Sequence, residues 1–416
     1  MKNKFFGWSV VYAGGALQFL QSMLLNQAFG IYLAVLIEDR GWSKTSISGA
    51  AALKSTEVAL LGPILGWLVD KYGAKSIVRL GIVMFGIGFM LLSRVHTIYE
   101  FYGAFVVIAF GSSMFSNPIV SVAIIQWFQK KRARALSMLQ FGGAIGGLFV
   151  FIIAFTIQTF GWRYTAFGSG VVAIIIGYPL ARLIRNKPEE YGQFIDGVSK
   201  SESLETQSQI NDDHEFTVRE AIRTSSFWLI AFGHAFSLLV VTAINVHAVA
   251  HIKEGLGFSL AQASLIFTLV TIGQFFGVML GWVIGEKFDK RLVAATCMLM
   301  HACGLLMITY ASSLFMLIFA ALLHGTGWGL RGPFMHAIRA DYFGRKSIGM
   351  IIGISTLVTV LGTISGPIVA GAFADSYGNY RYGFTLLAIL AGVGSLFFLI
   401  AKKPKIPKIP KIPKST

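Results

Sequence analysis

The chain of 416 residues is 55% apolar and only 13% charged, about half the roughly 25% of a soluble globular protein. Its 35 basic and 19 acidic side chains are too few to wet a soluble protein of this length. This excludes a disordered chain, a disulfide scaffold and an ordinary soluble enzyme, and it points to a surface that faces lipid. The net charge of +16 lies in short loops between apolar runs, so it forms no continuous nucleic-acid footprint.

A membrane-crossing helix needs about 20 mostly apolar residues. Twelve runs qualify: 6–36, 46–69, 76–93, 98–127, 135–158, 164–184, 226–250, 260–285, 292–311, 313–338, 347–374 and 382–401. The first follows Met-Lys-Asn-Lys directly and has full membrane length, so it reads as a membrane helix and not as a cleaved leader. Backbone in lipid must satisfy its own hydrogen bonds, which makes these runs helices. The alternation of a membrane β-barrel is absent.

With the N-terminus inside, the cytoplasmic loops and tails hold 27 Lys/Arg against 6 outside. That excess places both termini in the cytoplasm, and the expected location is a bacterial inner membrane. Segment 186–222 carries nine acidic residues and separates six spans from six. It reads as a partly disordered linker between bundles 1–185 and 223–402. Residues 403–416 form a basic Lys-Ile-Pro tail, in which proline at every third position favours an extended form near anionic headgroups.

The halves repeat at an offset of 215 residues. Gly66-Trp-Leu-Val-Asp-Lys is echoed by Gly281-Trp-Val-Ile-Gly-Glu, and Trp127-Phe128 by Tyr342-Phe343. Pro118 maps to Pro333 and Gly147 to Gly362. Such duplication marks a two-bundle transporter with its site between the halves, near the midplane.

Gly66-x-x-x-Asp70-Lys71-x-Gly73-x-Lys75 resembles the loop 2–3 motif of the major facilitator superfamily, and Gly281 to Arg291 resembles its weaker partner in loop 8–9. Ser226-Phe227-Trp228, His247 with Gly255-x-Gly257, and Gly325-x-Gly327-x-Gly329-x-Arg331-Gly-Pro333 are similar to monocarboxylate and oxalate/formate-type porters. The resemblance implies an all-α membrane protein, with twelve transmembrane helices in two pseudo-symmetric bundles. It also implies a carrier of small carboxylates that is often proton-coupled, with gating contacts at Asp70, Lys71 and Arg79. Helix 8 departs from that pattern, since Ile272 to Leu280 is uncharged, and Ser355 stands near the expected helix-11 lysine.

Arg331 is a charge within a span. At midbilayer depth it costs at least about 2.5–3.5 kcal/mol, so it must face a wet cavity or a partner. Guanidinium grips a carboxylate through two parallel hydrogen bonds, which makes Arg331 the expected substrate anchor; a structural ion pair is the alternative. Glu57 is the one acidic residue deep in a span. Burial favours its protonated form, so it is the expected proton carrier, unless it only pairs with Lys54 one turn earlier. His247 maps onto Tyr32 by the offset and both are expected to line the cavity. Asn26, Gln27, Asn117 and His324 join them as substrate contacts, although helix packing would equally occupy such residues.

No nucleotide-binding loop, catalytic nucleophile or cofactor motif occurs, and the histidines lack a metal-ligand cluster. The expected partners are a small carboxylate, protons and lipid, and the expected state is a monomer. An exporter of amphiphilic compounds is one alternative, since 13 Met and 35 Phe suit an adaptable cavity. A transporter-like membrane receptor is the other.

Overall fold

The computed structural model describes residues 5–42, 44–198 and 215–405, with side chains described outside 44–56, 59 and 260. Every regular element among the described residues is helical. Eleven helical stretches are long and apolar enough to cross a membrane. The remaining predicted span, 46–69, is occupied by a helix over Lys44–Tyr72.

Span 1 is α1 (Gly7–Gln21) and α2 (Phe29–Arg40), joined by a π-helical turn at Ser22–Asn26. Then come α3 (Lys44–Tyr72) and α4 (Ala74–Leu92). Span 4 is broken into α5 (Ile98–Met114) and α6 (Asn117–Trp127), and span 5 into α7 (Arg132–Leu148) and α8 (Phe151–Phe160). The first bundle ends with α9 (Trp162–Leu183). A short α10 (Val218–Ile222) precedes the second bundle: α11 (Ser225–Ala250), α12 (Leu260–Ile284), α13 (Lys290–Thr309), α14 (Leu314–Phe343), α15 (Ile348–Tyr377) and α16 (Arg381–Ile400).

The duplication recurs in the packing. Helix α1 packs on α7, α4 on α9 and α4 on α5; in the second half α11 packs on α15, α13 on α16 and α13 on α14. The bundles meet through a crossed pair of seams, α3 with α15 and α7 with α12.

Small residues set these approaches. Gly325 and Gly329 on α14 face Gly273 and Gly277 on α12. A Cβ at Gly325 would strike the Val270 carbonyl oxygen, and one at Gly329 the Gln274 carbonyl oxygen. Close backbone contact of this kind is how membrane helices associate without a hydrophobic drive between them. It also fixes the rotation of α14, and therefore the direction in which Arg331 points. Gly329→Val is expected to lower the thermal unfolding midpoint in detergent by several degrees. The added bulk meets backbone that cannot repack, an overpacking cost of typically about 1–3 kcal/mol.

Span 4 breaks where Pro118 stands in the first turn of α6, after Ser116 in extended conformation. The break leaves carbonyl oxygens at the end of α5 without helical partners. Gln18 Nε2 donates to the Phe115 carbonyl and Gln21 Nε2 to the Ser112 carbonyl, both at 2.8 Å. Pro333, its counterpart by the offset, lies inside the continuous α14.

The described ends of segment 186–222 are pinned to the bundles. Asn186 Oδ1 accepts from Lys75 N at 2.9 Å, Gln193 Oε1 from Phe6 N at 2.9 Å and Asp196 Oδ2 from Lys130 N at 2.8 Å. Glu215 Oε2 accepts from the backbone of Arg345 and Lys346. Helix starts and tight loops carry unsatisfied N–H groups, and this acidic and amide-bearing segment supplies acceptors for them. The tether expected across 199–214 and the tail beyond Lys405 lie outside the described residues.

Candidate functional site: a polar cavity between the bundles

A cavity of about 430 Å³ lies between the two bundles. Asn26 and Gln27 reach it from the π-helical turn of span 1, Asn117 from the start of α6 and Gln140 from α7. The second bundle contributes His234 from α11, Gln274 from α12, and Trp328, Arg331 and His336 from α14. Turns of this π type recur at functional sites. Here the wider turn presents two adjacent amides where a regular helix would turn one of them away.

Arg331 is 1% exposed, and its Nε and Nη1 have no hydrogen-bond partner. A buried donor left unpaired costs about 1–3 kcal/mol, and more when charged. The cavity wall therefore holds an unmet demand for an acceptor. Nδ1 of His336 is likewise unpartnered.

Of the residues expected to bind substrate, the structure gathers Arg331, Asn117, Asn26 and Gln27 at this cavity. It does not bring Tyr32, His247 or His324 to it. Tyr32 is buried against Phe89 with its hydroxyl 3.4 Å from Ser169 Oγ. His247 Nε2 lies 3.0 Å from the Pro367 carbonyl and its ring packs on Tyr380. His324 shares a helical face with Arg331, but two turns away that face is covered by α13, and His324 Nδ1 lies 3.1 Å from His301 Nδ1. Tyr32 and His247, paired by the offset, each turn into their own bundle.

Glu57 accepts a hydrogen bond from Ser113 Oγ at 3.1 Å. It stands beside a smaller pocket lined by Val58, Ser113, Ser116 and Pro118, and Pro118 also borders the main cavity. The Lys54 side chain, its expected alternative partner, lies outside the described residues.

Sequence reasoning missed His234, Gln140, Gln274 and Arg339. Arg339 falls one residue past the predicted end of span 10 and counted as a loop charge; α14 continues to Phe343 and buries it to 2% exposure. The apolar neighbours Ala337, Ile338 and Ala340 were the available signal.

Polar ties between the bundles gather on the face that carries the described chain ends. Asp70, at the end of α3, accepts from Gly349 N at 2.8 Å and Met350 N at 2.7 Å, in the first turn of α15. Glu286, just past α12, accepts from Ala133 N at 2.7 Å and Arg134 N at 3.3 Å, in the first turn of α7. Each carboxylate thus serves the unsatisfied N–H groups and positive dipole end of a helix in the other bundle, and the two latches lie one residue out of register under the internal repeat, Asp70 falling on Gly285 beside Glu286. Arg132 and Lys290 both pair with Asp341, and Gln126 exchanges hydrogen bonds with Arg345. Lys71 and Arg79, expected to gate with Asp70, stay within the first bundle. Lys71 Nζ sits 4.8 Å from the Trp67 ring centroid, and Arg79 Nη2 lies 3.4 Å from the Arg182 carbonyl oxygen.

The family model of the Major Facilitator Superfamily matches residues 12–247 and 230–415. The chain belongs to the major facilitator superfamily. It is therefore a multi-pass membrane transport protein and not an enzyme.

Among curated relatives it is 24% identical over 390 residues to the MFS-type transporter pynF of Aspergillus niger, covering 91% of this chain and 83% of that one. It is 24% identical over 408 residues to a probable hexose phosphate transport protein of Chlamydia muridarum, covering 90% and 86%. The solved proton:xylose symporter XylE shares its fold, with a TM-score of 0.77 at 14% identity and 97% of each chain covered. None of these three is named as a monocarboxylate porter.

Proposed function

We propose that the protein is a secondary transporter that moves a small organic anion through a cytoplasmic membrane by alternating access, with Arg331 as the anchor. The observation that carries this reading is the buried Arg331 guanidinium, with Nε and Nη1 unpartnered, in the wall of a polar cavity between the bundles. The excess of Lys/Arg on the loops of the latched face assigns that face to the cytoplasm. On that reading the described conformation is closed inward, and the anion enters from outside. Release follows when Asp70 and Glu286 let go of the facing helix ends and the bundles rock about the cavity.

A thermal-stability screen of the purified protein tests the anchor. A ligand that binds only the folded state at 100 times its Kd adds about 2.7 kcal/mol. Small carboxylates and phosphate esters are expected to raise the unfolding midpoint, and neutral sugars of equal size are not. Stabilisation by neutral sugars alone would overturn the reading.

Proton coupling is assigned to Glu57, which stands next to the cavity wall in the first bundle, away from the arginine. Glu57→Gln mimics the protonated acid. The variant is expected to keep substrate-for-substrate exchange and to lose accumulation driven by an imposed pH gradient. Flux in the two modes, measured on one proteoliposome preparation, checks this. Intact pH-driven accumulation in the variant removes Glu57 from the role.

A further inference from the structure

Arg331 has a companion on its own helix. Arg339 lies eight residues on, about 12 Å along the axis at 1.5 Å per residue, and is equally buried. Its guanidinium donates to Ser355 Oγ at 2.6 Å and to the Met335 carbonyl at 2.9 Å, and Nη2 stands 3.3 Å from His234 Nδ1. These partners are all uncharged acceptors. His234 borders the cavity together with Arg331 and His336, so its contact with Arg339 connects the second guanidinium to the cavity.

Among the described residues, no carboxylate pairs with either arginine. Asp341, two residues past Arg339, is taken by Arg132 and Lys290. Glu57 belongs to the other bundle and bonds to Ser113. The remaining titratable neighbours of Arg331 are Cys297 and the pair His301 and His324, whose rings meet edge to face, and these carry no negative charge in their neutral forms. One guanidinium in the cavity wall and a second behind His234 therefore have no carboxylate partner among the described residues.

We propose that Arg331 in the cavity wall and Arg339, joined to that wall through His234, form a two-cation site that selects a doubly charged organic anion, a phosphate monoester or a short dicarboxylate. The inference rests on the anion reading above and specifies the charge of the anion. A monocarboxylate, the class implied by the resemblance in the sequence, would compensate one guanidinium and leave the other bare. A dianion compensates both. Neutral imidazole still offers one N–H donor, so His234 and His336 can extend the donor set without adding charge. The amides of Asn26, Asn117 and Gln274 suit the hydroxyl or carbonyl groups of the rest of the molecule.

The test is calorimetric titration of the purified full chain at pH 7.5, where a phosphate monoester with second pKa near about 6 is mostly doubly charged. Two matched pairs serve as probes: glucose 6-phosphate against gluconate, and succinate against butyrate. In at least one pair the dianion should bind roughly tenfold tighter or more, and the pair that responds tells whether the two charges sit on one phosphoryl group or on two carboxylates. Arg339→Gln should collapse that ratio towards one, and Arg339→Lys should retain most of it. Monoanions binding as well as dianions in both pairs would overturn the proposal, and so would a preference that survives Arg339→Gln. If Arg339→Gln does not fold, the wild-type pairs and the Lys variant decide. Binding of glucose without any of the four anions would instead defeat the anion reading itself.

Discussion

Arg331→Lys is expected to weaken anion binding about ten- to a hundredfold while the protein still folds. Lysine keeps the positive charge but cannot present two parallel donors. Hydrogen bonds to charged groups are worth about 1.5–3 kcal/mol, and each 1.4 kcal/mol is about a factor of ten. The fold should survive because the guanidinium makes no described hydrogen bond through Nε or Nη1 that a lysine would break. Titration of the purified variant beside wild type, with unfolding midpoints as a control, measures both. Equal affinity with an equal midpoint would show that the anion sits elsewhere.

Gly353→Leu is expected to force the bundles apart on the latched face. Gly62 and Gly66 on α3 meet Gly353 and Gly349 on α15 backbone to backbone. A Cβ at Gly353 would strike the Gly62 carbonyl oxygen. Neither partner is a flexible side chain, so the strain cannot be relieved by a rotamer change. Within each bundle the packing of α3 and α15 is untouched. The least costly response is loss of the seam and a shift towards the state open to this face. Spin labels at positions 71 and 346, which come from different bundles and line one cleft on this face, should separate by several ångströms, and exchange should fall to a small fraction of wild type. Labels that keep their wild-type separation would show that the seam does not hold the closed state.

The architecture was legible because it follows from the periodic supply of apolar length. Lipid removes every alternative to helix, and the offset that aligned Gly66 with Gly281 brings the two carboxylate latches to within one residue of each other, Asp70 falling on Gly285 beside Glu286. Arg331 was legible for a related reason, since a guanidinium within an apolar run has to be accommodated. The rest of the site depends on helix rotation, which the apolar pattern does not fix in a span that is apolar all round. Glycine contacts set that rotation. The approach of α12 and α14 turns Arg331, Gln274 and His336 to the cavity, and the packing of α13 on α14 closes over His324. Tyr32 and His247 looked like cavity residues by depth, but depth along a span says nothing about which side it faces. Arg339 was hidden by a boundary, because a span taken to end at 338 makes its last charge a loop charge. The broken span 4 was half legible: Pro118 stood in the sequence, but Gln18 and Gln21 as partners of the freed carbonyls did not.

Transport itself is tested most directly by flux into proteoliposomes that contain only this protein. Vesicles preloaded with an unlabelled anion that stabilises the purified protein receive the same anion, radiolabelled, outside. Rapid exchange is expected in the wild type, exchange slowed at least about tenfold in Arg331→Lys at subsaturating anion, and none in empty vesicles. Binding without exchange in the wild type would mean that the chain senses its ligand and does not carry it. Equal exchange by wild type and Arg331→Lys would show that Arg331 does not anchor the transported anion.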